Sequence, residues 1–265
     1  MASDPLITLT TDIGWRYAAQ MKGRILSLLP EARLVDIAHD VSPQDVREGA
    51  FVLYAAVSHF PRAVHVAVVD PGVGTRRRAL MVETEGGFLV GPDNGVLLPA
   101  ARRLGLQEVY VITGSSAPTS DVAPTFHGRD IFAPVAVHLA RGVTPLHLGE
   151  ACADYVDLDF GQPAVDTAIE GHIIYVDHFG NLITNIPGSL VETAMGSQTT
   201  VQVGDTTVEV PLVRSYGYAR RGQLLLTVSS ADLVEIACRE GSAQSQLSVD
   251  VGDRVVVEPP GTGTT

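Results

Sequence analysis

Apolar positions in the first half of the chain switch repeatedly between two spacings. "PLITLTTD" (5–12) is a short run rich in β-branched residues, whereas "YAAQMKGRILSLLP" (17–30) repeats its apolar positions at helical spacing and stops at Pro30. "ARLVDIAHD" (32–40) predicts a second strand. In "SPQDVREGAFVLYAAVSHFP" (42–61), Ser42 as N-cap, Pro43 behind it and acids in the first turns predict a helix that ends by Pro61. "AVHVAVVD" (63–70) is almost continuously apolar, as a strand buried on both faces must be. "ALMVETEGGFLVGPDNGVL" (79–97) predicts a hairpin turning at Gly86-Gly87. "EVYVIT" and a helix over "GRDIFAPVAVHLARG" (128–142) complete the region. This order implies an α/β domain over 1–150, with a mostly parallel or mixed central sheet flanked by helices.

The pattern then changes. "GEACADYVDLDFGQPAVDTA" (149–168) is polar, acidic and weakly periodic, which reads as a linker over 151–168. Beyond it, "EGHIIYVDHFGNLITNI", "TTVQVGDTTVEVPLV", "GQLLLTVSS" and "GDRVVVEPP" are short β-rich runs with Gly-Asp turns, predicting a smaller all-β barrel over 169–260. One helix is expected inside it, "SADLVEIACREGSA", capped by Ser230. The final "GTGTT" reads as a tail.

Composition narrows the function classes. A net charge of −12 over 265 residues argues against nucleic acid or an anionic membrane as the main partner. Cys152 and Cys238 are far apart and match no metal spacing. No run approaches the ~20 apolar residues of a membrane span, and the N-terminus has no leader pattern. A soluble cytoplasmic protein is the expectation.

Candidate chemistry sits at the predicted strand ends. Asp12 follows the first strand and Asp70 the third, and ligands of open α/β sheets bind beyond the carboxyl ends of strands. Each carboxylate alone would equally serve as a turn or helix cap. "DPGVGTRRR" (70–78) is no phosphate loop: it lacks the GK[ST] ending and the GxGxxG spacing, and a strand rather than a helix follows it. An arginine near Asp70 would instead hold that carboxylate ionised and fixed in direction. Most of the Arg76-Arg77-Arg78 run reads as solvated surface. His127, before a helix start and beside Gly128, is as well placed for catalysis as for structure. "GPDNGVL" reads first as a tight turn with positive φ at Asn94-Gly95. Asp177, Asn181 and Asn185 cluster around a bend in the β-module. With no GxSxG, no HExxH and no metal-ligand spacing of histidines, neither an acyl-enzyme nor a metal is expected.

Taken in order, "TTDIG", "VVDPGVGT", "GPDNGVL", "PTFHGRDIFAP", "VDHFGNLITNIP" and "SSADLVEIA" resemble the S-adenosylmethionine hydrolases. These are also called SAM hydroxide adenosyltransferases or DUF62 proteins, and are relatives of fluorinase and chlorinase. The match spans residues 5–258. The resemblance implies an N-terminal α/β domain, a C-terminal β-barrel, and a homotrimer whose active sites form where one subunit's N-terminal domain meets a neighbour's C-terminal domain. It implies hydrolysis of S-adenosyl-L-methionine (SAM) to adenosine and methionine, with no cofactor. The family's water-activating set falls on Asp70, Arg77 and His127, the seven-residue spacing from Asp70 selecting Arg77. Its ribose-binding aspartate matches Asp12, Asp177 and Ser230 match positions holding the methionine moiety, and Asn181 one near the adenine. The sequence departs from the pattern where Trp15 and Arg16 occupy a loop shortened by about two residues, and where Gln44 replaces an aromatic residue. Two further readings fit the same motifs: a SAM- or nucleoside-binding protein with little turnover, and a halogenase, against which an anionic Asp70 argues.

Overall fold

The computed structural model describes residues 5–113 and 122–258, so the final "GTGTT" lies outside the described residues. The chain divides into two compact units after Asp159.

The first unit is a seven-stranded mixed sheet with helices packed on it. Strands β1 (Leu6–Thr11), β2 (Arg33–Ala38), β3 (Ala63–Val68), β4 (Ala79–Thr84), β5 (Gly87–Pro92), β6 (Leu106–Ile112) and β7 (Gly149–Ala151) are arranged in the order β2-β1-β3-β5-β4-β6-β7. β2, β1, β3 and β5 run parallel, and β4, β6 and β7 extend the sheet antiparallel. β3 lies in the parallel half and all six of its residues are buried, which is why its sequence shows no alternation. Helix α1 (Gly14–Leu28) buries Ala18, Met21 and Ile25, one stripe at helical spacing. Helix α2 (Val46–Val57) begins later than the sequence suggests. Its N-cap is Asp45, whose side chain accepts from the Glu48 amide, and Ser42 lies outside the helix. Helix α3 (Leu98–Arg103) follows the β4–β5 hairpin.

The predicted helix 128–142 is built in two parts. Gly128–Phe132 forms a π-turn, with the Ala133 amide donating to the Gly128 carbonyl, and helix α4 (Ala133–Ala140) continues from it. Pro134 has no N–H to return to the preceding turn, so the wider turn accommodates the break.

The segment read as a linker packs against the first unit up to Leu158. Arg102 pairs with Asp157 and donates to the Leu158 carbonyl, the Val156 amide donates to Asp93, and Arg78 donates to the Asp154 carbonyl. These arginines give the polar stretch 152–158 partners its composition does not reveal.

The second unit is a nearly closed antiparallel barrel. β8 (Ala164–Val165) pairs with β9 (Ile169–Val176), and the remaining order is β12-β11-β15-β9-β10-β14-β13. Here β10 is Leu182–Pro187, β11 Gln198–Val203, β12 Thr206–Pro211, β13 Leu224–Val228, β14 Leu233–Cys238 and β15 Arg254–Glu258. The ends of this order approach through Leu212, which bridges Leu226, and the Val213 amide, which donates to the Leu226 carbonyl at 2.9 Å. The helix expected over 230–243 is therefore corrected: "LVEIAC" is strand β14, with every residue buried. Burial on both faces removes the alternation that distinguishes a strand from a buried helix. The helix shrinks to α5 (Ala243–Leu247), capped by Ser242 rather than Ser230.

Candidate active site

β1 and β3 are adjacent and parallel, with Thr11 opposite Val68, so Asp12 and Asp70 emerge from the same edge of the sheet. The turn after β3 is closed locally. The Val73 amide donates to the Asp70 carbonyl, and both the amide and the hydroxyl of Thr75 donate to the Gly72 carbonyl. Asn94 secures the strand end, its side-chain amide donating to the Val69 carbonyl at 2.8 Å. The positive φ of that second turn falls on Gly95 alone.

This turn brings Arg77 back onto Asp70. Arg77 Nε donates to Asp70 Oδ1 at 2.8 Å, and its Nη2 donates to Oδ2 in a two-point fork. The pair is largely buried, the Asp70 and Arg77 side chains being 4% and 11% exposed. The guanidinium plane sits over the Phe132 ring, 5.1 Å from its centroid, and Arg77 Nη1 donates to the Arg78 carbonyl. Arg77 is thus held on every side.

His127 completes the set, with its Nδ1 3.1 Å from Arg77 Nη2. A guanidinium only donates, so Nδ1 is the acceptor and the imidazole proton resides on Nε2. Burial, reinforced by the neighbouring Arg77 charge, pushes the His127 pKa below the ordinary histidine value. Neutral His127 therefore presents an N–H donor from its far edge.

Two glycines permit the approach of segments far apart in sequence. A Cβ on Gly74, at φ +74°, would lie 2.3 Å from the Pro124 carbonyl oxygen. A Cβ on Gly128 would lie 3.1 Å from Met21 Sδ and 3.4 Å from Val68 Cγ1. The His127 segment can thus sit against the end of β3. It is tied further by Asp130, which accepts from the Ala123 amide and from Arg129. Asp130 was not singled out from sequence, although its place in "HGRD" was available as a signal.

Of the other two arginines, Arg76 is exposed, as the sequence suggests. Arg78 is an anchor rather than free surface: its Nε donates to Asp93 at 2.7 Å. Asp12 Oδ2 accepts from the Gln44 amide at 2.8 Å.

In the second unit, Asp177 and Asn181 form one turn between β9 and β10. Asp177 Oδ1 accepts from the Phe179 and Asn181 amides, and Oδ2 from the Asn181 side chain at 2.9 Å. They line a cavity of about 490 Å³ together with Phe179, Tyr216, Cys238 and Arg239. Tyr216 donates from its hydroxyl to Glu235 at 2.7 Å; burial pushes the Glu235 carboxyl and the Tyr216 hydroxyl above their ordinary values. Tyr216 lies in no quoted motif; Glu235 stands within "SSADLVEIA" but was not singled out there. Asn185 is spoken for, its Oδ1 accepting from the His172 amide. Ser230 does not join this turn. It is exposed in the β13–β14 hairpin loop, at the opposite end of β14 from Cys238, because the strand between them is extended rather than helical.

Among the described residues, no group of three or more His, Cys, Asp or Glu gathers as metal ligands, and no helix is long and apolar enough to cross a membrane.

Family models for the SAM hydroxide adenosyltransferase N-terminal and C-terminal domains match residues 7–149 and 171–256. An (R)-S-adenosyl-L-methionine hydrolase of Salinispora tropica is 41% identical, covering 97% of this chain and 99% of its own. A fluorinase of an Actinoplanes species is 28% identical over 88% of this chain and 91% of its own. A crystal structure of a conserved Thermotoga maritima protein superposes with a TM-score of 0.88 at 36% identity, covering 95% of this chain and 99% of that one. With both domain models matched in order over most of its length, the chain belongs to the SAM hydroxide adenosyltransferase family.

Proposed function

We propose that this protein hydrolyses SAM to adenosine and L-methionine, water attacking C5′ of the ribose in line with the C5′–S bond. The observation that carries this reading is the single guanidinium that joins Asp70 to His127 beyond the carboxyl ends of the strands, where open α/β sheets bind ligands. The full-length likeness to proteins named SAM hydrolases supports it.

The reaction asks little of an acid. The sulfonium leaves as a neutral thioether, taking the C–S bonding pair, so no proton need be delivered to it. What the site supplies is a positioned water whose proton has somewhere to go. Asp70 accepts that proton as the O–C5′ bond forms and later passes it to solvent. Arg77 holds the carboxylate in direction, and His127 Nε2–H orients the water oxygen. An oxygen nucleophile approaching a cation annihilates charge, which a low-dielectric pocket favours over bulk water. Asp12 binds the ribose hydroxyls, Asp177 the methionine moiety and Asn181 the adenine. The resemblance also gives Ser230, in the β13–β14 hairpin loop, to the methionine moiety. No cofactor is required. The functional assembly is a homotrimer in which the first unit of one subunit and the second unit of a neighbour complete each site.

Incubating pure protein with SAM at neutral pH and resolving the products by chromatography tests the reading. Equimolar adenosine and methionine above the spontaneous rate is the expected result. Intact SAM with nucleoside retained on the protein would instead indicate a binding protein.

A further inference from the structure

A second polar network in the first unit lies around Asp12, separate from the Asp70–Arg77–His127 set. Lys22 Nζ donates to Asp36 Oδ2 at 2.9 Å, and Asp36 Oδ1 accepts from His39 Nε2 at 2.9 Å. On its other side, His39 Nδ1 lies 2.9 Å from the Thr11 hydroxyl. His39 is fully buried, and both of its ring nitrogens are engaged, so it has no free site for a ligand. Trp15 covers it, edge to face at 4.8 Å, with Lys22 Nζ 5.7 Å from the indole centroid.

The network converges on two residues that bracket one carboxylate, Thr11 just before it and Gly14 two positions after it. His39 engages Thr11 through its ring, and its backbone carbonyl accepts from the Gly14 amide at 3.0 Å. Asp12 lies between these two residues. A third hold comes from the same stretch of chain: Gln44, in the left-handed region at φ +68°, donates its backbone N–H to Asp12 Oδ2. Burying a histidine and linking it to a charged pair costs desolvation that an apolar side chain of equal size would avoid. Packing alone does not call for His39; directed hydrogen bonds that fix the Asp12 turn do.

We propose that Lys22, Asp36, His39 and Thr11 form a positioning relay that presets the direction of Asp12 for the ribose diol. This rests on the reading above in which Asp12 binds the ribose. None of the four touches substrate; they act through Asp12, so their removal weakens nucleoside binding and leaves the chemical step at Asp70 intact.

Adenosine affinity by calorimetry and SAM kinetics are measured for the wild type, His39→Leu, Thr11→Val and Lys22→Met. His39→Leu is expected to raise both the adenosine Kd and the KM for SAM about tenfold, with kcat held within about twofold, as for loss of a supporting hydrogen-bond partner. Thr11→Val and Lys22→Met, the latter altering a partly exposed side chain, give smaller rises in the same direction and carry the test if His39→Leu does not fold. In an Asp12→Ala background the His39→Leu change adds nothing further. Unchanged Kd and KM in folded Thr11→Val and Lys22→Met would overturn the relay, as would an undiminished His39→Leu effect without Asp12. A wild type that binds adenosine but leaves SAM intact overturns the hydrolase reading alone, and the relay is then judged on the affinities. A wild type that binds neither overturns both.

Discussion

Arg77 sets one planar cation against an anion and a neutral imidazole at once, and that geometry decides what each partner can do. Protonating His127 at Nδ1 would remove the acceptor that faces Arg77 and bring two cations together. A base whose pKa is depressed stays neutral down to a pH below its ordinary value, so His127 is expected to titrate below 6.5, and acidification through that midpoint should break its contact with Arg77. An NMR pH titration, with the resonance identified by its loss in His127→Gln, checks this; a midpoint at or above 6.5 would contradict the depression by burial and Arg77. For the carboxylate, Asp70→Asn keeps size and hydrogen bonding but removes the proton acceptor. Its kcat should fall by about 10²-fold or more while SAM affinity changes little. Arg77→Lys should be nearly as damaging, because a single ammonium cannot supply the two-point fork and the third contact together. If Arg77→Lys retained wild-type kcat, the bridging role would be wrong.

The element that makes this possible is the eight-residue turn from Asp70 to Arg77. Its Gly74 meets two demands: a left-handed φ and backbone contact with the Pro124 carbonyl, where no side chain can yield. Gly74→Ala should therefore destabilise the protein by about 1–3 kcal/mol and lower kcat, because turn and His127 segment are forced apart. Gly222→Ala isolates the conformational part: its φ is +73°, yet a Cβ there meets nothing within 4 Å. Thermal unfolding of both variants, with kcat measured alongside, distinguishes strain from the lost approach. Equal effects of the two on Tm and none on kcat would mean that the Pro124 contact does not matter. Of the elements themselves, the β4–β5 hairpin and α1 were legible from patterns of fixed period, and β1 and β3 as short β-rich or continuously apolar runs that end at turn residues. β14 was not: it is buried throughout and has no alternation, and the cap-like Ser230 ahead of it with Glu235 among its apolar residues fits a helix as well.

For the whole molecule, the proposed trimer predicts a mass three times that of the chain by light scattering, and activity lost on dilution below the assembly's dissociation range. A monomeric species with full specific activity would rule it out. At the scale of the molecule, the sequence also shows most clearly where its information ends. It determined by itself the strand–helix alternation of the first unit, the β-rich second unit, the carboxylates at the ends of β1 and β3, and a family likeness that singles out Arg77 by its spacing from Asp70. Those features are local, fixed by side-chain periodicity and by turns a few residues long. Only the tertiary structure decided which arginine is solvated and which is an anchor, as Arg76 and Arg78 show. It alone joined Arg77 to His127 across fifty positions, wrapped the supposed linker onto Arg78 and Arg102, and carried Ser230 away from Asp177. It also drew Lys22, Asp36 and His39 around the residues that flank Asp12. Contacts between segments distant along the chain depend on strand order and register, and these are set when apolar faces from the whole unit are buried together.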